Sequence, residues 1–383
     1  MKKIKYFSYY GKRDNKQNRQ NYLAASNKID YICEILIKLG YSVDIISASG
    51  TLDKKKYYAG SYTKLDNNKY LKMFCTFPKG NILQRIINKI CVNFSVFYEL
   101  LKIKKNDNVI VYHSLGYMRA VQLAHFVKRF RLILEVEEIY SDVLGKLKTR
   151  KKELNFFKQA DSFIFPTEML NDEVNPYRKP HVIIYGTYKV ETDRCKCVFN
   201  DKKKKEEIIH CVYAGTFESK KGGAAVAVAA GAFLPSNYHI HILGFGSASD
   251  TESIIKLVDE TNKKAKASIT YHGVLSGEEY IKFIQSCDIG LSTQNPYAAF
   301  NNTSFPSKVL SYLSNGLNVV SIRIPVLEHS KVGKVLYYYE NQTPENVAKA
   351  IMDVPKLNNY DCRELIMRLS DEFEKDLQHL LEN

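Results

Sequence analysis

Three stretches in the second half of the chain carry residue types suited to holding a diphosphate. Val212-Tyr-Ala-Gly-Thr-Phe-Glu-Ser-Lys-Lys-Gly-Gly223 runs directly into an alanine-rich segment. A turn at Gly215 with Lys220 and Lys221 just ahead of a helix sets two cations beside N–H groups and a dipole that attract an anion. The stretch is neither a Walker loop nor GxGxxG, and a plain strand-to-helix turn with solvated lysines has the same local sequence. In Ile242-Leu-Gly-Phe-Gly-Ser247, Gly244 and Gly246 allow close approach of backbone to a ligand, or simply a tight turn. Asn301-Asn-Thr-Ser-Phe-Pro-Ser-Lys-Val-Leu-Ser-Tyr-Leu-Ser-Asn-Gly316 predicts a helix with Pro306 in its first turn, Thr303 or Ser304 as cap and Gly316 as stop. Lys308 and the helix dipole then favour the same anion.

In the first half, His113 and the run Glu135-Val-Glu137-Glu138 follow apolar strands. His113 suits proton transfer or hydrogen bonding to a ligand, and Glu137 or Glu138 suits binding hydroxyls; a satisfied strand-end histidine and solvated carboxylates fit the same pattern. Arg13, Lys16, Arg19 and Asn21 lie in a polar loop, Gly11 to Asn21, expected to close over a substrate or to be merely solvated. Lys79 to Lys105 mixes basic residues, Arg85 and Lys89 among them, with Ile82, Leu83, Ile86, Ile90 and Phe94. That composition suits a helix resting on an anionic bilayer, or a core helix with one solvated face. No metal site is expected: the cysteines are scattered without CxxC, no histidine cluster shows metal spacing, and no Asp-x-Asp occurs.

Positioning these groups requires a layered scaffold. Short apolar runs alternate with amphipathic segments from end to end, the pattern of βαβ units and parallel sheets. Strands are expected near Ile4 to Ser8, Val43 to Ser47, Val109 to His113, Leu132 to Val136, Phe163 to Pro166 and Val182 to Tyr185. The alternation lapses between Val190 and Glu207. It restarts near Ile208 to Ala214, Ile240 to Leu243, Ile269 to Tyr271, Ile289 to Ser292, Val319 to Ile322 and Val335 to Tyr338. At 383 residues the chain exceeds what one core usually sustains, so two α/β domains are expected, 1–190 and 207–355, with a helix in 356–383. Ligands of such sheets bind beyond the carboxyl ends of the strands. A net charge of +15 points to an anionic partner. The basic residues are dispersed without a nucleic-acid module, so nucleic acid is set aside. The longest apolar stretch, Ala224 to Leu234, is too short to span a bilayer and no secretory leader is legible, so a cytoplasmic protein is expected, at most peripheral to the inner face of the membrane.

The chain resembles glycosyltransferase family 4, the retaining enzymes of GT-B fold, and within it the bacterial capsule and exopolysaccharide type. The resemblance rests on Gly215 to Gly222, Leu243-Gly-Phe-Gly246, His272-Gly-Val274, Cys287-Asp288 and Phe305-Pro-Ser-Lys…Tyr-Leu…Gly-Leu317. In the first half it rests chiefly on architecture.

That resemblance implies two Rossmann-like doubly wound domains facing a central cleft, the first for the acceptor and the second for a UDP- or GDP-linked donor, with no cofactor. Lys221, helped by Lys220 and Gly222, would neutralise the diphosphate, and Gly215 and Thr216 would border it. Gly244 and Gly246 would close on the nucleotide, and His272, Gly273 and Val274 would hold its base. Ser304, Phe305, Ser307 and Lys308 would complete the phosphate and ribose site. The family's Glu-x7-Glu pair falls here on Thr303 and Ser311, two neutral hydroxyls. His113, Lys221 and Thr303 would be the catalytic set, and Arg13, Asn21, Glu137 and Glu138 would face a glycan or polyprenyl-linked acceptor. A nucleotide-sugar epimerase, or a non-catalytic partner of another transferase, shares most of these features.

Overall fold

The computed structural model describes residues 2–11, 16–193, 208–218, 223–298, 301, 303–355 and 362–382, apart from the Leu147 side chain. It divides into two compact units: residues 1–187 with 372–383, and residues 188–371.

Unit 1 is built on β1 (Lys2–Ser8), β2 (Tyr41–Ser47), β3 (Ser61–Asp66), β4 (Lys69–Met73), β5 (Asn108–Tyr112), β6 (Arg131–Glu135), β7 (Ser162–Phe165) and β8 (His181–Ile183). Helices α1 (Leu23–Lys38), α2 (Ile82–Leu101), α3 (Met118–Lys128), α4 (Tyr140–Val143), α5 (Leu147–Phe157) and α6 (Glu168–Val174) connect them. The strands form one sheet in the order β3-β4-β2-β1-β5-β6-β7-β8. All neighbours are parallel except β3 on β4. Central strands are apolar on both faces because helices cover both; Val109, Ile110 and Val111 are all fully buried. The β3–β4 hairpin is absent from the sequence reading. Polar and apolar residues alternate in it and β3 has no fully buried residue, so it lacks the continuous apolar run by which the inner strands announce themselves. Asn67-Asn68 makes its turn, with Asn68 at φ +60°.

Unit 2 holds β9 (Ile209–Thr216), β10 (Tyr238–Phe245), β11 (Ser268–Gly273), β12 (Ile289–Ser292), β13 (Asn318–Ile322) and β14 (Leu336–Tyr339), with α7 (Gly223–Ala230), α8 (Ala248–Asn262), α9 (Gly277–Gln285), α10 (Ser307–Ser314), α11 (Pro325–Glu328) and α12 (Pro344–Met352). The order β11-β10-β9-β12-β13-β14 is that of a doubly wound sheet, reversing between β9 and β12. A last helix, α13 (Cys362–Glu382), belongs to unit 2 up to Asp371, and its final turns belong to unit 1. There Phe373 stacks on Tyr31 at 6.1 Å. No helix of the described residues is long and apolar enough to cross a membrane.

One buried charge holds α2 to the sheet. Glu99, 5% exposed, meets Lys102 at 2.6 Å, Lys72 at 2.7 Å and Lys5 at 3.4 Å. Burial by itself would raise its pKa, but the lysine hydrogen bonds and charges outweigh this and hold it down at about 2. A carboxyl depressed in the folded state stabilises the fold above its ordinary value of 4.5, and that contribution is lost as pH falls through about 2. Glu99→Gln is therefore expected to cost about 1.5–3 kcal/mol at pH 7, or roughly 3–10 °C in melting temperature. The gap from wild type should close on acidification, and a gap independent of pH would contradict this account.

Candidate functional site

Unit 2 gathers its candidate groups at the carboxyl ends of β9 and β10, beside the reversal of strand order. The two strands pair to their last residues, with Gly215 opposite Gly244 and Thr216 opposite Phe245. Gly244 has φ +135°, and a Cβ built on it would lie 1.7 Å from the Gly215 carbonyl oxygen. Only glycine fits there. The Tyr271 hydroxyl donates to Gly244 O at 3.2 Å. A Cβ on Gly246 would come 2.8 Å from Asp250 Cβ, so the turn lies against the first turn of α8, which Ser247 caps reciprocally with Asp250.

Lys308, in the first turn of α10, brings a cation to this edge. Its Nζ lies 4.0 Å from the Tyr213 ring centroid and would meet a Cβ on Gly215 at 3.1 Å. The helix that carries it is fixed from beneath: Ala214 N donates to the Tyr312 hydroxyl at 2.8 Å, and Gly290 makes room for the Tyr312 ring. Thr293, just after β12, donates to Gly223 O at 2.7 Å and ties the start of α7 to the same edge. Tyr213 does not stand out in the sequence, because a tyrosine in an apolar run reads as core; Tyr312 enters it only within the Phe305 to Leu317 motif.

The N-terminus of α10 differs from expectation. Its N-cap is Pro306, with no side-chain cap bond, rather than Thr303 or Ser304. Pro306 sits in extended backbone at ψ 97°, which starts the helix at Ser307 and leaves Thr303 and Ser304 outside it. Both are half-buried, Phe305 is buried and Ser307 exposed. Ser311 Oγ lies 3.3 Å from the Tyr280 hydroxyl. Lys220, Lys221, Gly222 and Asn302 lie outside the described residues.

At the end of β11, Gly273 takes φ +75° and Val274 is 60% exposed. The His272 ring turns inward: its Nε2 lies 2.9 Å from His241 Nδ1, and Phe283 packs edge-on at 4.7 Å. The expectation of no histidine cluster is corrected here. His210, His239 and His241 come together on one face of the sheet. His239-x-His241 was the legible part of this signal; the third member arrives only through the pairing of β9 with β10.

In unit 1 the corresponding edge is rich in tyrosine. Tyr9 stacks on Tyr117 at 5.3 Å, its hydroxyl 3.4 Å from Ser114 Oγ, and the Tyr140 hydroxyl lies 3.4 Å from that of Tyr112. His113 is not at the surface of this edge. It is fully buried between Tyr140 and Phe157, its Nε2 3.3 Å from buried Glu153, and burial lowers its pKa to about 3. The expectation of His113 as a catalytic residue is corrected accordingly: it is a neutral packing residue, because α4 and α5 fold over the end of β5. Glu137 is half-buried and paired with Lys28, which also lies 4.0 Å from buried Glu135. Burial and the nearby Glu137 push the Glu135 carboxyl up, and the Tyr6 hydroxyl donates to it. Glu138 is half-buried. Asn21 accepts from Ser26 Oγ at 2.8 Å. Arg19 is no mobile loop cation: it is 2% exposed and donates to Ser49 O and Phe74 O at 2.7 and 2.9 Å. Arg13 lies outside the described residues.

No family model matches the chain, and no curated protein matches it. Solved structures do match along its whole length. A sucrose-phosphate synthase from Thermosynechococcus elongatus aligns with TM-score 0.71 at 12% identity, over 100% of this chain and 98% of its own. A UDP-forming α,α-trehalose-phosphate synthase from Burkholderia xenovorans, in complex with glucose-6-phosphate, aligns with TM-score 0.67 at 10% identity, over 100% of both. A trehalose-6-phosphate structure from E. coli, bound with UDP-2-fluoro glucose, aligns with TM-score 0.66 at 10% identity, over 99% of this chain and 97% of its own. The property shared at this identity is the fold, which is GT-B.

Proposed function

We propose that this chain is a retaining glycosyltransferase of the family 4 kind. It takes a sugar from a UDP- or GDP-linked donor and places it on a glycan or polyprenyl-linked acceptor during assembly of a bacterial surface polysaccharide. The observation that carries this reading is the crowded Gly215–Gly244 edge with Lys308 above it, at the point of unit 2 where a doubly wound sheet binds its ligand. Bare backbone and a fixed ammonium suit a nucleoside diphosphate, and the similar structures that carry UDP-2-fluoro glucose or are called UDP-forming support a UDP-linked one. Unit 1 takes the acceptor on its tyrosine-lined edge, with Glu137 and Glu138 near the hydroxyls. A neighbour in complex with glucose-6-phosphate and a net charge of +15 both favour an anionic acceptor.

In the reaction the bond from the anomeric carbon to the diphosphate oxygen breaks, and the acceptor hydroxyl bonds to the same face of the sugar. The acceptor's proton passes to the departing diphosphate. Lys308, with Lys220 and Lys221, stabilises the charge that develops on that leaving group.

Release of nucleotide from a panel of UDP- and GDP-sugars, with and without acceptor, tests the proposal; no release from any of them would overturn it. Lys308→Ala should lower kcat/KM about 10- to 150-fold, since a hydrogen bond to a charged group contributes about 1.5–3 kcal/mol. A variant with unchanged kcat/KM would place the diphosphate elsewhere. Transfer should continue in excess chelator, because lysines and helix N-termini meet the diphosphate charge. Loss on adding EDTA, restored by Mn²⁺, would argue for a metal on the diphosphate.

A further inference from the structure

We propose that His210, His239 and His241 form a binding site for one divalent transition-metal ion of the zinc type, set in the sheet of unit 2 away from the Gly215–Gly244 edge. The inference does not depend on the transferase reading. Residues two apart on a strand share a face, so His239 and His241 project from β10 on the same side, and His210 is the register partner of His239 on β9. Their ring centroids form a triangle of 4.0, 5.2 and 5.8 Å. One ring nitrogen from each lies within 4.8 Å of the others. A zinc-type ion with bonds of 2.0–2.1 Å needs its nitrogens about 3.3 Å apart, which lies inside that spread.

The surroundings suit ligation. Metal-bound imidazoles are normally oriented by a partner on the second nitrogen. His241 Nδ1 lies 2.9 Å from His272 Nε2, leaving Nε2 facing His210 Nδ1, also at 2.9 Å. His239 Nε2 lies 2.9 Å from Thr270 Oγ1, a partner that orients the ring. His210 and His241 are 6% and 1% exposed, while His239 is half-buried, so the ion would enter on the His239 side. An all-imidazole donor set selects zinc, cobalt, nickel or copper over magnesium and calcium, which require oxygen. Three protein ligands leave a fourth position for water, and the ion would clamp together the starts of the two strands that carry Gly215 and Gly244 near their far ends.

The experiment uses untagged full-length protein, stripped with chelator and titrated with Co²⁺. One equivalent should give the intense visible bands of four-coordinate cobalt, Zn²⁺ should displace it, and the melting temperature should rise with Zn²⁺ saturation. His239→Gln, at the least buried ligand, should abolish those bands. Thr270→Val, which leaves all three ligands in place, should weaken Co²⁺ binding by about 10- to 100-fold. Wild type that gives no four-coordinate spectrum would overturn the proposal, leaving a hydrogen-bonded imidazole chain. Equal Co²⁺ binding by wild type and Thr270→Val would also overturn it, as would unchanged bands in a folded His239→Gln.

Discussion

Gly244→Ala is expected to lower the melting temperature by on the order of 10 °C and to remove measurable nucleotide-sugar binding. Two causes add. An L-residue at φ +135° is strained by roughly 1–3 kcal/mol. Its Cβ would also overlap the Gly215 carbonyl, so β9 and β10 must part at the edge where the donor is proposed to sit. Together these reach about 4 kcal/mol, and a two-domain chain of this length shifts by roughly 2–4 °C for each kcal/mol. Gly40→Ala is the control. Gly40 has φ +87° at the end of α1 with nothing within 4 Å of a built Cβ, so it should show strain alone, about 1–2 kcal/mol. Equal melting temperatures and donor affinities in the two variants would show that the Gly215–Gly244 contact is not what requires glycine.

The second large effect concerns α2. Ile82, Ile86, Ile90 and Phe94 recur every fourth residue and are 77, 49, 63 and 69% exposed, so the stripe that would normally face a core faces outward. Leu123 and Phe126 of α3 are likewise exposed, and an apolar groove of about 670 Å³ is lined by Ile90, Phe94 and Leu123 with Lys89, Arg119 and Lys152. The single acidic residue of α2, Glu99, is buried, so the exposed charges along this helix are basic. An anionic bilayer complements such a face, and each basic residue should contribute about 1 kcal/mol, screened within a Debye length. The protein is expected to sediment with phosphatidylglycerol-containing vesicles at low salt, to release as salt rises, and to ignore zwitterionic ones. Reversing Arg85, Lys89, Arg119 and Lys152 to glutamate should weaken binding by at least about a thousandfold, with hydrolysis of a soluble donor unchanged. Equal sedimentation of the reversed variant, or a dimer in solution that hides this face, would exclude the membrane.

These two effects differ in how visible they were beforehand. The α2 pattern of basic and apolar residues was plain in the sequence, yet compatible with a core helix as well; which of its residues are exposed depends on what the rest of the fold leaves uncovered. Gly244 was visible as a turn glycine, but its steric necessity comes from Gly215, twenty-nine residues earlier.

The alternation of apolar runs with amphipathic segments determined the elements of both sheets, apart from the β3–β4 hairpin, because a strand buried on both faces is a short apolar run and a helix buried on one carries a helical period, both local features. The glycine turns at Gly215 and Gly244 and the helix that carries Lys308 were legible for the same reason: turns and helix starts are local features. Tertiary structure decided whatever depends on strand order and on covering layers. It buried His113 under α4 and α5, locked Arg19 onto the backbone of two other segments, and made Tyr213 the platform for Lys308. It also assembled a histidine trio whose members span two strands. Side chains meet across a parallel sheet by register, and register is a property of the assembled sheet, which no single strand encodes.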